Sequence, residues 1–357
     1  KFSGVWIMAY TTIDDPSAYF KVQLYTGTGS SHAITFNDTD TEMQPDLVWN
    51  KSRSDTYSHN FCDAVRGVTK MLEGESTSAE NTNTNAVTAF GSNGFTVGSD
   101  NGNNKSSSTF VAWCWKAGTT GSGTTTGSGS GKAYSYSVST TAGFSIVKYI
   151  GNGTSAHTIP HHLGAVPQWV LIKETSNSSD WMGYHVGKGN THTIKLNEPD
   201  APVDRTDWWN DTTPTSSVVT LGDNGEINQD DTDYVMYSFS NIQGYSKFDS
   251  YTGNGNADGI FIYTGFRPAF IMYKNTARSA SWLIHDNKRL GYNPNNDEQH
   301  PDTNAADGTD DRTDILSNGF KIREDSAILN TAGEKVIYMA FAEAPFANSN
   351  GVPANAR

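Results

Sequence analysis

Short apolar runs bounded by glycine, asparagine or proline recur along the whole chain. Phe144–Tyr149 (FSIVKY) and Trp169–Lys173 (WVLIK) are typical, and turn sequences such as Asp223-Asn224-Gly225 lie between such runs. Valine, isoleucine, threonine and aromatic residues dominate the runs, and these side chains favour strands. The pattern predicts an all-β fold of antiparallel, sandwich-like sheets rather than a fold of alternating strands and helices.

A pattern of tyrosine and glycine occurs three times with the same surroundings. Tyr-x-Gly-x-Gly stands at Tyr25–Gly29, Tyr149–Gly153 and Tyr251–Gly255. After each copy comes a proline-led strand with a lysine six residues after the proline. The three pairs are Pro45 and Lys51, Pro167 and Lys173, and Pro268 and Lys274. Trp181 and Trp282 also lie 14 residues beyond their prolines. Self-similarity of this kind indicates repeated structural units.

The closing strand of each unit matches most closely. A large aromatic residue stands 90 residues after each tyrosine of the pattern, at Trp115, Phe239 and Phe341. The strands that contain these residues are Phe110–Trp115 (FVAWCW), Tyr234–Phe239 (YVMYSF) and Val336–Phe341 (VIYMAF). We therefore predict a tandem array of three superposable β-sandwich modules, at 19–118, 133–244 and 245–346.

The connections between the modules differ in composition. Gly118–Gly131 (GTTGSGTTTGSGSG) is rich in glycine, serine and threonine, which predicts a flexible linker over 119–132. Modules two and three meet at Asn241–Tyr245 with almost no intervening chain. Modules two and three should thus form a fixed pair, with module one tethered and freer. A C-terminal tail is expected at 347–357.

The N-terminal connector, 1–18, contains a run that resembles a closing strand. Val5–Tyr10 (VWIMAY) matches the character of Val336–Phe341 at each position. A strand so apolar is buried on both faces, since each large apolar side chain is about 1.5–3 kcal/mol better off buried than in water. We expect Val5–Tyr10, the remnant of a module that lies upstream, to be a paired strand. Its expected partner is a sheet edge in this or a neighbouring subunit, by strand addition, and the upstream module is the alternative partner.

Charge and cysteine content narrow the range of functions. With 38 acidic and 25 basic residues the formal net charge is −13, so nucleic-acid binding is not expected. Apolar stretches such as Lys335–Ala342 are strand-sized, so no membrane insertion is expected. Cys62 and Cys114 are too few for a disulfide framework or a zinc site, although the two could pair within module one.

Candidate catalytic groups are sparse. Asp63 with Arg66 and Asp286 with Arg289 stand at equivalent places, and module two has His185 there. Repeated carboxylate–guanidinium pairs are more simply explained as internal salt bridges than as an acid and a base. A glycosidase needs two carboxylates at a defined separation, and the sequence singles out no such pair. His157, His161 and His162 predict a turn lining rather than a metal site. We therefore expect no enzyme activity.

Candidate binding residues lie in two kinds of segment. The loops Asn37–Glu42 and Asp230–Asp233 offer oxygen ligands of the kind that Ca²⁺ takes, although solvated acidic loops are commoner; no other cofactor is expected. Trp208 and Trp209 stand beside Asp211, and exposed aromatic faces next to polar groups are typical of sugar-binding surfaces. Burial in a core is the competing fate of these tryptophans.

Several longer motifs stand out along the chain, namely Asp15–Phe20, Met43–Asp46, Asp63–Gly67, Gly244–Phe248, Tyr263–Pro268 and Tyr338–Glu343. Together they resemble a family of bacteriophage virion proteins common in marine phages, a group with tandem repeats often found downstream of laminin-G-like domains. The resemblance extends from Asp15 to Arg357. The resemblance implies a structural component of the virion and supplies no catalytic residues.

The function expected from the resemblance is that of a tail fibre or similar appendage that displays β modules for attachment to a host-surface glycan or protein. A capsid-decorating or head-fibre protein is one alternative, and a polysaccharide depolymerase is another. Expected partners are other virion proteins and further copies of the chain, most simply in a homotrimer. The chain would be made in the host cytoplasm and located in the virion.

Overall fold

The computed structural model describes residues 10–37, 41–289, 293 and 295–353. The predicted strand over Val5–Tyr10 lies outside the described residues except for Tyr10, and residues 38–40 of the first acidic loop lie outside them too. In the described part of the chain, strands dominate and no helix exceeds four residues. The predicted all-β fold of antiparallel sheets is confirmed.

Module one is a sandwich of two antiparallel sheets. Its elements are η1 (Pro16–Ala18), β1 (Phe20–Thr26), β2 (His32–Thr35), β3 (Leu47–Ser52), β4 (Asn60–Asp63), β5 (Lys70–Glu73), β6 (Asn81–Thr82), β7 (Val87–Gly91), β8 (Gly94–Val97), α1 (Asn101–Asn104) and β9 (Thr109–Trp115). The main sheet has the order β1-β9-β3-β4-β5-β6, and the small sheet has the order β2-β8-β7.

Module two repeats this plan with additional strands at one edge. Its elements are β10 (Thr119–Thr124), β11 (Thr126–Gly127), β12 (Ala133–Ser139), β13 (Phe144–Ile150), β14 (His157–Pro160), β15 (Trp169–Glu174), β16 (Trp181–His185), β17 (His192–Lys195), β18 (Val203–Asp204), α2 (Thr206–Trp209), β19 (Val218–Leu221), α3 (Gly225–Asn228) and β20 (Asp233–Phe239). The main sheet has the order β10-β12-β13-β20-β15-β16-β17-β18, and the small sheet has the order β11-β14-β19.

Module three has the same two layers. Its elements are β21 (Ser246–Thr252), β22 (Phe261–Tyr263), β23 (Phe266–Asn275), β24 (Leu283–Asp286), β25 (Asn295–Glu298), β26 (Gly308–Leu316), β27 (Gly319–Ile322) and β28 (Lys335–Pro345). Its sheets have the orders β21-β28-β23-β24 and β22-β27-β26-β25. In all three modules the closing strand lies between the strand that carries the repeat tyrosine and the proline-led strand.

The structure corrects the prediction of a flexible linker over 119–132. Within this segment, β10 pairs with β12 along its whole length, and β11 pairs with β14. The glycines of β10 allow this pairing, because a side chain on Gly121 or Gly123 would collide with the rings of Tyr136 and Tyr134. Module two therefore begins its sheet at Thr119, and the segment is structured.

The Tyr-x-Gly-x-Gly pattern forms a turn that is fastened to the end of the same module. The hydroxyls of Tyr25, Tyr149 and Tyr251 donate to the backbone carbonyls of Asn103, Ile227 and Leu329, at 2.6, 2.6 and 2.9 Å. A buried asparagine 79 residues after each tyrosine accepts a hydrogen bond from a backbone N–H of the turn. Asn104 accepts from Thr28, Asn228 accepts from Asn152, and Asn330 accepts from Asn254.

Each closing strand is buried on both faces by two different cores. On β9, Val111, Trp113 and Trp115 lie in a large central core, whereas Ala112 and Cys114 lie in the core of module one. The same alternation holds on β20 and on β28. The main sheet of each module therefore has one face inside its own sandwich and the other against the two neighbouring modules.

The central core is shared by all three modules and closes around one point. Trp115, Phe239 and Phe341 contact one another there, with ring centroids 6.2, 5.5 and 5.8 Å apart. These are the aromatic residues found 90 positions after each repeat tyrosine, and each pairs with the first residue of its neighbouring strand. Module one is thus packed as tightly as the others, which corrects the expectation that it is tethered and freer.

Candidate functional site

The three junctions between modules are closed by side chains from equivalent positions. Trp181 and Trp282 each donate from the indole N–H to a carbonyl of the preceding module, Glu73 at 2.8 Å and Lys195 at 2.9 Å. His59, also 14 residues after its proline, bonds through Nε2 to the carbonyl of His300 in module three at 3.0 Å. The contacts run from two to one, from three to two and from one to three, so the modules form a closed ring.

The lysines six residues after the repeat prolines lie at the same junctions. Lys51, Lys173 and Lys274 are fully buried, and burial lowers the pKa of each ammonium to about 8. Lys173 donates to Thr77 O of module one, and Lys274 donates to Pro199 O of module two. Lys173 and Lys274 thus satisfy backbone carbonyls across a junction, whereas Lys51 donates to Ser52 O of its own module, so all three lysines have a structural role.

The carboxylate–guanidinium pairs considered as acid and base are also junction contacts. Arg66 contacts Asp63 in module one, and Tyr237 of module two donates its hydroxyl to the same carboxylate at 2.7 Å. Arg289 contacts Asp286 in module three, and Trp113 of module one donates its indole N–H to that carboxylate at 3.0 Å.

The balance of charge at Asp286 explains how a buried carboxylate is stabilised. Burial alone would raise its pKa, but the Arg289 charge and hydrogen bonds outweigh burial and hold the pKa below its usual range. The carboxylate is therefore ionised and paired, which supports the predicted reading of these pairs as internal salt bridges.

Module two has His185 at this position because its neighbour offers a different surface. His185 Nε2 bonds to the backbone carbonyl of Tyr338 at 3.1 Å, and Nδ1 accepts from the backbone N–H of Gly187 at 3.0 Å. The neighbouring side chain, at the place of Trp113 and Tyr237, is Met339, which has no donor. Burial lowers the His185 pKa to about 4, so the ring is neutral.

The residues predicted for sugar stacking do not form an exposed platform. Trp208 and Trp209 are 3% and 1% exposed and belong to the core of module two. Their indole N–H groups donate to Glu226 and to the carbonyl of His192. Only Asp211, with a φ of 46°, lies at the surface. Burial in a core, the alternative reading, is therefore what the structure shows, and these rings offer no stacking surface, because apolar area outweighed the polar neighbours in deciding their position.

The second acidic loop, Asp230–Asp233, forms ion pairs with Lys132. Lys132 Nζ lies 2.9 Å from Asp230 and 2.5 Å from Asp231. Within the described ranges, no group of three or more histidine, cysteine, aspartate or glutamate side chains could hold a metal ion. His161 bonds to Thr215 O, while His157 contacts Asn152 and His162 stacks on Tyr136.

The two cysteines are free thiols. Cys62 and Cys114 lie on β4 and β9, the two strands that flank β3, and both pair with Val48. Neighbouring strands lie roughly 4.8 Å apart, so two cysteines on either side of a strand are beyond the roughly 7 Å limit for a disulfide. The alternative in which they pair is wrong.

Among the described residues, none of the helices is long or apolar enough to cross a membrane.

A wide polar groove opens on the surface of module two. It has a volume of about 740 Å³ and lies between the loop after β15, the residue before α2, and α3 with the turn that follows it. Amides, hydroxyls, carboxylates and one guanidinium line it. The lining residues are Glu174, Asn177, Ser178, Ser179, Arg205, Asn224, Gly225, Glu226, Gln229, Asp230 and Thr232.

Two acidic side chains of the groove have different surroundings. Glu174 is buried and accepts from the side-chain amide of Asn177. Glu226 is half-buried, and burial followed by repulsion from Asp180 raises its pKa above the usual range. The indole N–H of Trp208 donates to Glu226 at 3.3 Å. The sequence had singled out Trp208 for its ring, whereas the structure uses its N–H to hold a groove residue.

One family model matches a range of residues that includes the whole ring of modules. The DUF7483 domain, a domain of unknown function, matches residues 15–345. The chain belongs to the DUF7483 family. No curated protein and no solved structure matches it. The matched range begins at Asp15, next to η1, and ends at Pro345, the last residue of β28, so a single family domain includes all three modules and their junctions.

Proposed function

We propose that the chain is a structural component of a bacteriophage particle, a tail fibre or similar appendage that attaches to a host-surface glycan or protein. The observation that supports this most is the closed ring of modules around one core. Charged groups such as Asp63, Arg66 and Asp286 are used in holding the modules together. A rigid block with an open polar groove on one module is well suited to presenting that groove to another surface.

The position of the chain on the particle tests this proposal. Antibodies raised against the purified chain are applied to particles of the phage that encodes it, and bound antibody is located by gold labelling in electron micrographs. Label at the distal ends of tail appendages is expected, and the free chain should compete with the phage for adsorption to host cells. Particles that bind no antibody would contradict the virion role. Label distributed over the head would instead support the capsid-decorating alternative.

A homotrimer is part of the proposal, because fibre proteins assemble with closed symmetry and gain from several attachment sites. The ring of three modules is complete within one chain, so any trimer would join rings through their outer surfaces. The mass in solution decides this: the chain has a mass of 38.7 kDa, and a trimer has three times that. A single-chain mass at all concentrations would count against the trimer.

A polysaccharide depolymerase is a second candidate, because Glu174 and Glu226 line one groove. A raised pKa suits Glu226 to the role of general acid, and glycosidases of both stereochemical classes use a pair of carboxyl groups. Incubation of the chain with host surface polysaccharide, followed by assay of new reducing ends, tests this. Release of reducing ends that Glu226→Gln abolishes would favour the enzyme over the non-catalytic binder.

A further inference from the structure

We propose that an aromatic surface on β22 of module three is the docking site for the apolar run Val5–Ala9 of the same chain. The surface consists of the exposed side chains of Phe261 and Tyr263, and Tyr10 connects it to the run. Val5–Ala9 itself lies outside the described residues. The contact is internal to the chain and does not depend on the attachment role.

Phe261 and Tyr263 are exposed although aromatic side chains are mostly buried in folded proteins. They are 46% and 48% exposed, and no other aromatic side chain in the described part of the chain is exposed. They stand two residues apart on β22, so both project from the same face of the strand, about 7 Å from each other. Ile262 between them lies in the core of module three. Adjacent exposed apolar side chains, unlike single ones, indicate an interaction surface.

The other two modules have small or polar residues at the equivalent places. In each module an isoleucine of the small sheet pairs with the residue 69 or 70 positions after the repeat tyrosine. These isoleucines are Ile34, Ile159 and Ile262. The residues on either side of the first two are Ala33, Thr35, Thr158 and Pro160. The shared fold therefore does not require aromatic residues here, and the aromatic pair has a reason that is specific to module three.

The strand that carries the pair lies at the edge of its sheet. Among the described residues, β22 pairs with β27 alone, in the sheet order β22-β27-β26-β25. In module two the equivalent edge, that of β14, is covered by β11. The described part of module three has no strand in the place of β11. An open edge beside exposed aromatic side chains favours the addition of a further segment of chain.

Tyr10 brings the N-terminal part of the chain to this surface. Its hydroxyl lies 3.0 Å from the Tyr263 hydroxyl and donates to the carbonyl of Gly265 at 2.7 Å. Its ring packs edge-on against Phe346, with the ring centroids 6.3 Å apart. A Cβ on Gly265, which has a φ of 85°, would lie 2.6 Å from the Tyr10 hydroxyl oxygen. Tyr10 therefore occupies a place that only glycine leaves open.

The residues after Tyr10 hold it in this position. Thr11 is 3% exposed, and its hydroxyl donates to the carbonyl of Gln243 at 2.8 Å. Ile13 lies in the central core. The chain is thus fastened to module three from Tyr10 onwards, and the residue that precedes Tyr10 starts beside Tyr263.

Val5–Ala9 has the length and the composition to cover the pair. Five extended residues span at most about 18 Å, which exceeds the distance of about 7 Å between Phe261 and Tyr263. The run reads VWIMA, so four large apolar side chains come just before Tyr10. Contact between the run and the pair removes apolar area of both from water. Because Tyr10 tethers the run beside the pair, docking within the chain loses less translational freedom than docking of a second copy.

Photochemical cross-linking in the full-length chain tests the contact. Phe261→p-benzoylphenylalanine keeps a ring at this position, and on irradiation it reacts with neighbouring C–H groups. Cross-links to residues 5–9 of the same chain are expected, as shown by a single-chain mass and by peptide mapping. The matched control is Ala33→p-benzoylphenylalanine, at the equivalent exposed place of module one, which should give no such cross-link.

The other possible occupants of the surface give different results in the same experiment. Cross-links that join two chains would assign the surface to a second copy and overturn the proposal. Cross-links that do not reach residues 5–9 would leave the aromatic pair open to an external ligand and would overturn the proposal as well.

The reciprocal test replaces the aromatic pair by the residues of module one, as Phe261→Ala with Tyr263→Thr. Module one folds with these residues at the equivalent places, so the ring of modules should remain intact. Cleavage by chymotrypsin after Trp6 should become about 10-fold faster, because the run loses the surface that protects it. Val203→Thr, at an exposed valine of module two, is the control and should leave the rate unchanged. Equal cleavage rates in the double variant and the wild type would overturn the proposal.

Discussion

The junction between modules two and three differs from the other two junctions of the ring. At the junctions of module one, a buried Asp–Arg pair receives a side-chain hydrogen bond from Tyr237 or Trp113. At the third junction, His185 bonds to a backbone carbonyl beside Met339. The difference teaches that the residue at the position of Asp63, Asp286 and His185 depends on the neighbouring module. An aspartate stands where the neighbour presents a side-chain hydrogen-bond donor, and a histidine stands where it does not. A repeated charged pair is therefore a device for assembling modules, and its absence from module two needs no catalytic explanation.

The largest effect is expected from removing one partner of a pair. Arg289→Met should lower the free energy of unfolding by about 3–5 kcal/mol, because Asp286 stays buried with its charge uncompensated. Lys188→Met, three residues after His185, is the matched control and should change it by less than about 0.5 kcal/mol. Urea unfolding measures both. Equal losses would show that the junctions do not differ in this way.

Acid should weaken the junction that contains His185. The pKa of His185 is lowered from 6.5 to about 4, so below pH 6.5 the unfolded chain takes up a proton that the folded chain refuses. Stability from this group is lost between pH 6.5 and 4, by about 3 kcal/mol in total. A proton on Nδ1 would face the backbone N–H of Gly187, which is also a donor.

The variant His185→Gln isolates this contribution. Other buried histidines, such as His59 and His285, also have lowered pKa values and add to the acid sensitivity of the wild type. The slope of unfolding free energy against pH should therefore be smaller in the variant than in the wild type, by about 1.4 kcal/mol per pH unit. Identical slopes between pH 6.5 and 4 would rule out His185 as a contributor.

Removing the Tyr237 hydroxyl should lower the free energy of unfolding by less than removing the Arg289 guanidinium. Tyr237→Phe deletes the hydroxyl that donates to Asp63 at 2.7 Å, and a hydrogen bond to a charged group contributes about 1.5–3 kcal/mol. Met339→Leu at the equivalent position of the third junction conserves volume and should cost less than about 1.5 kcal/mol. Thermal unfolding measures the loss of stability in both variants. Equally small losses would show that the Tyr237 hydroxyl does not stabilise its junction.

The buried lysines, which all three junctions share, should give the smallest effect. The pKa of Lys173 is lowered from 10.5 to about 8, so above pH 8 the unfolded chain holds a proton that the folded chain has released. The free energy of unfolding should rise between pH 8 and 9.5, by about 1–2 kcal/mol for this lysine. Lys173→Met should remove that rise when unfolding is followed over this range, below the onset of tyrosine ionisation. A rise equal to that of the wild type would assign it to other groups.

The sequence indicated two segments that line the candidate groove, but it did not predict a groove. Asp223-Asn224-Gly225 was recognised as a turn, and Asn224 in fact caps α3, while Asp230 belonged to the second acidic loop. Ser179 and Glu174 carried no signal, because single polar residues after a strand are common in loops. The buried asparagines 79 residues after each tyrosine did carry a signal, since the offset is the same in all three modules.

What the sequence determined by itself was local order and its repetition. Strand type, the antiparallel class and the equivalence of Trp115, Phe239 and Phe341 follow from periodicity and spacing, which are properties of short stretches of chain. Tertiary structure alone decided which face of each closing strand meets the central core. It also decided that Asp63 meets a tyrosine 174 residues away and that Trp208 lies inside. A strand that is apolar on both faces must be buried, but its composition does not specify its partner. That choice depends on how three sheets fit around one core, and no local pattern encodes it.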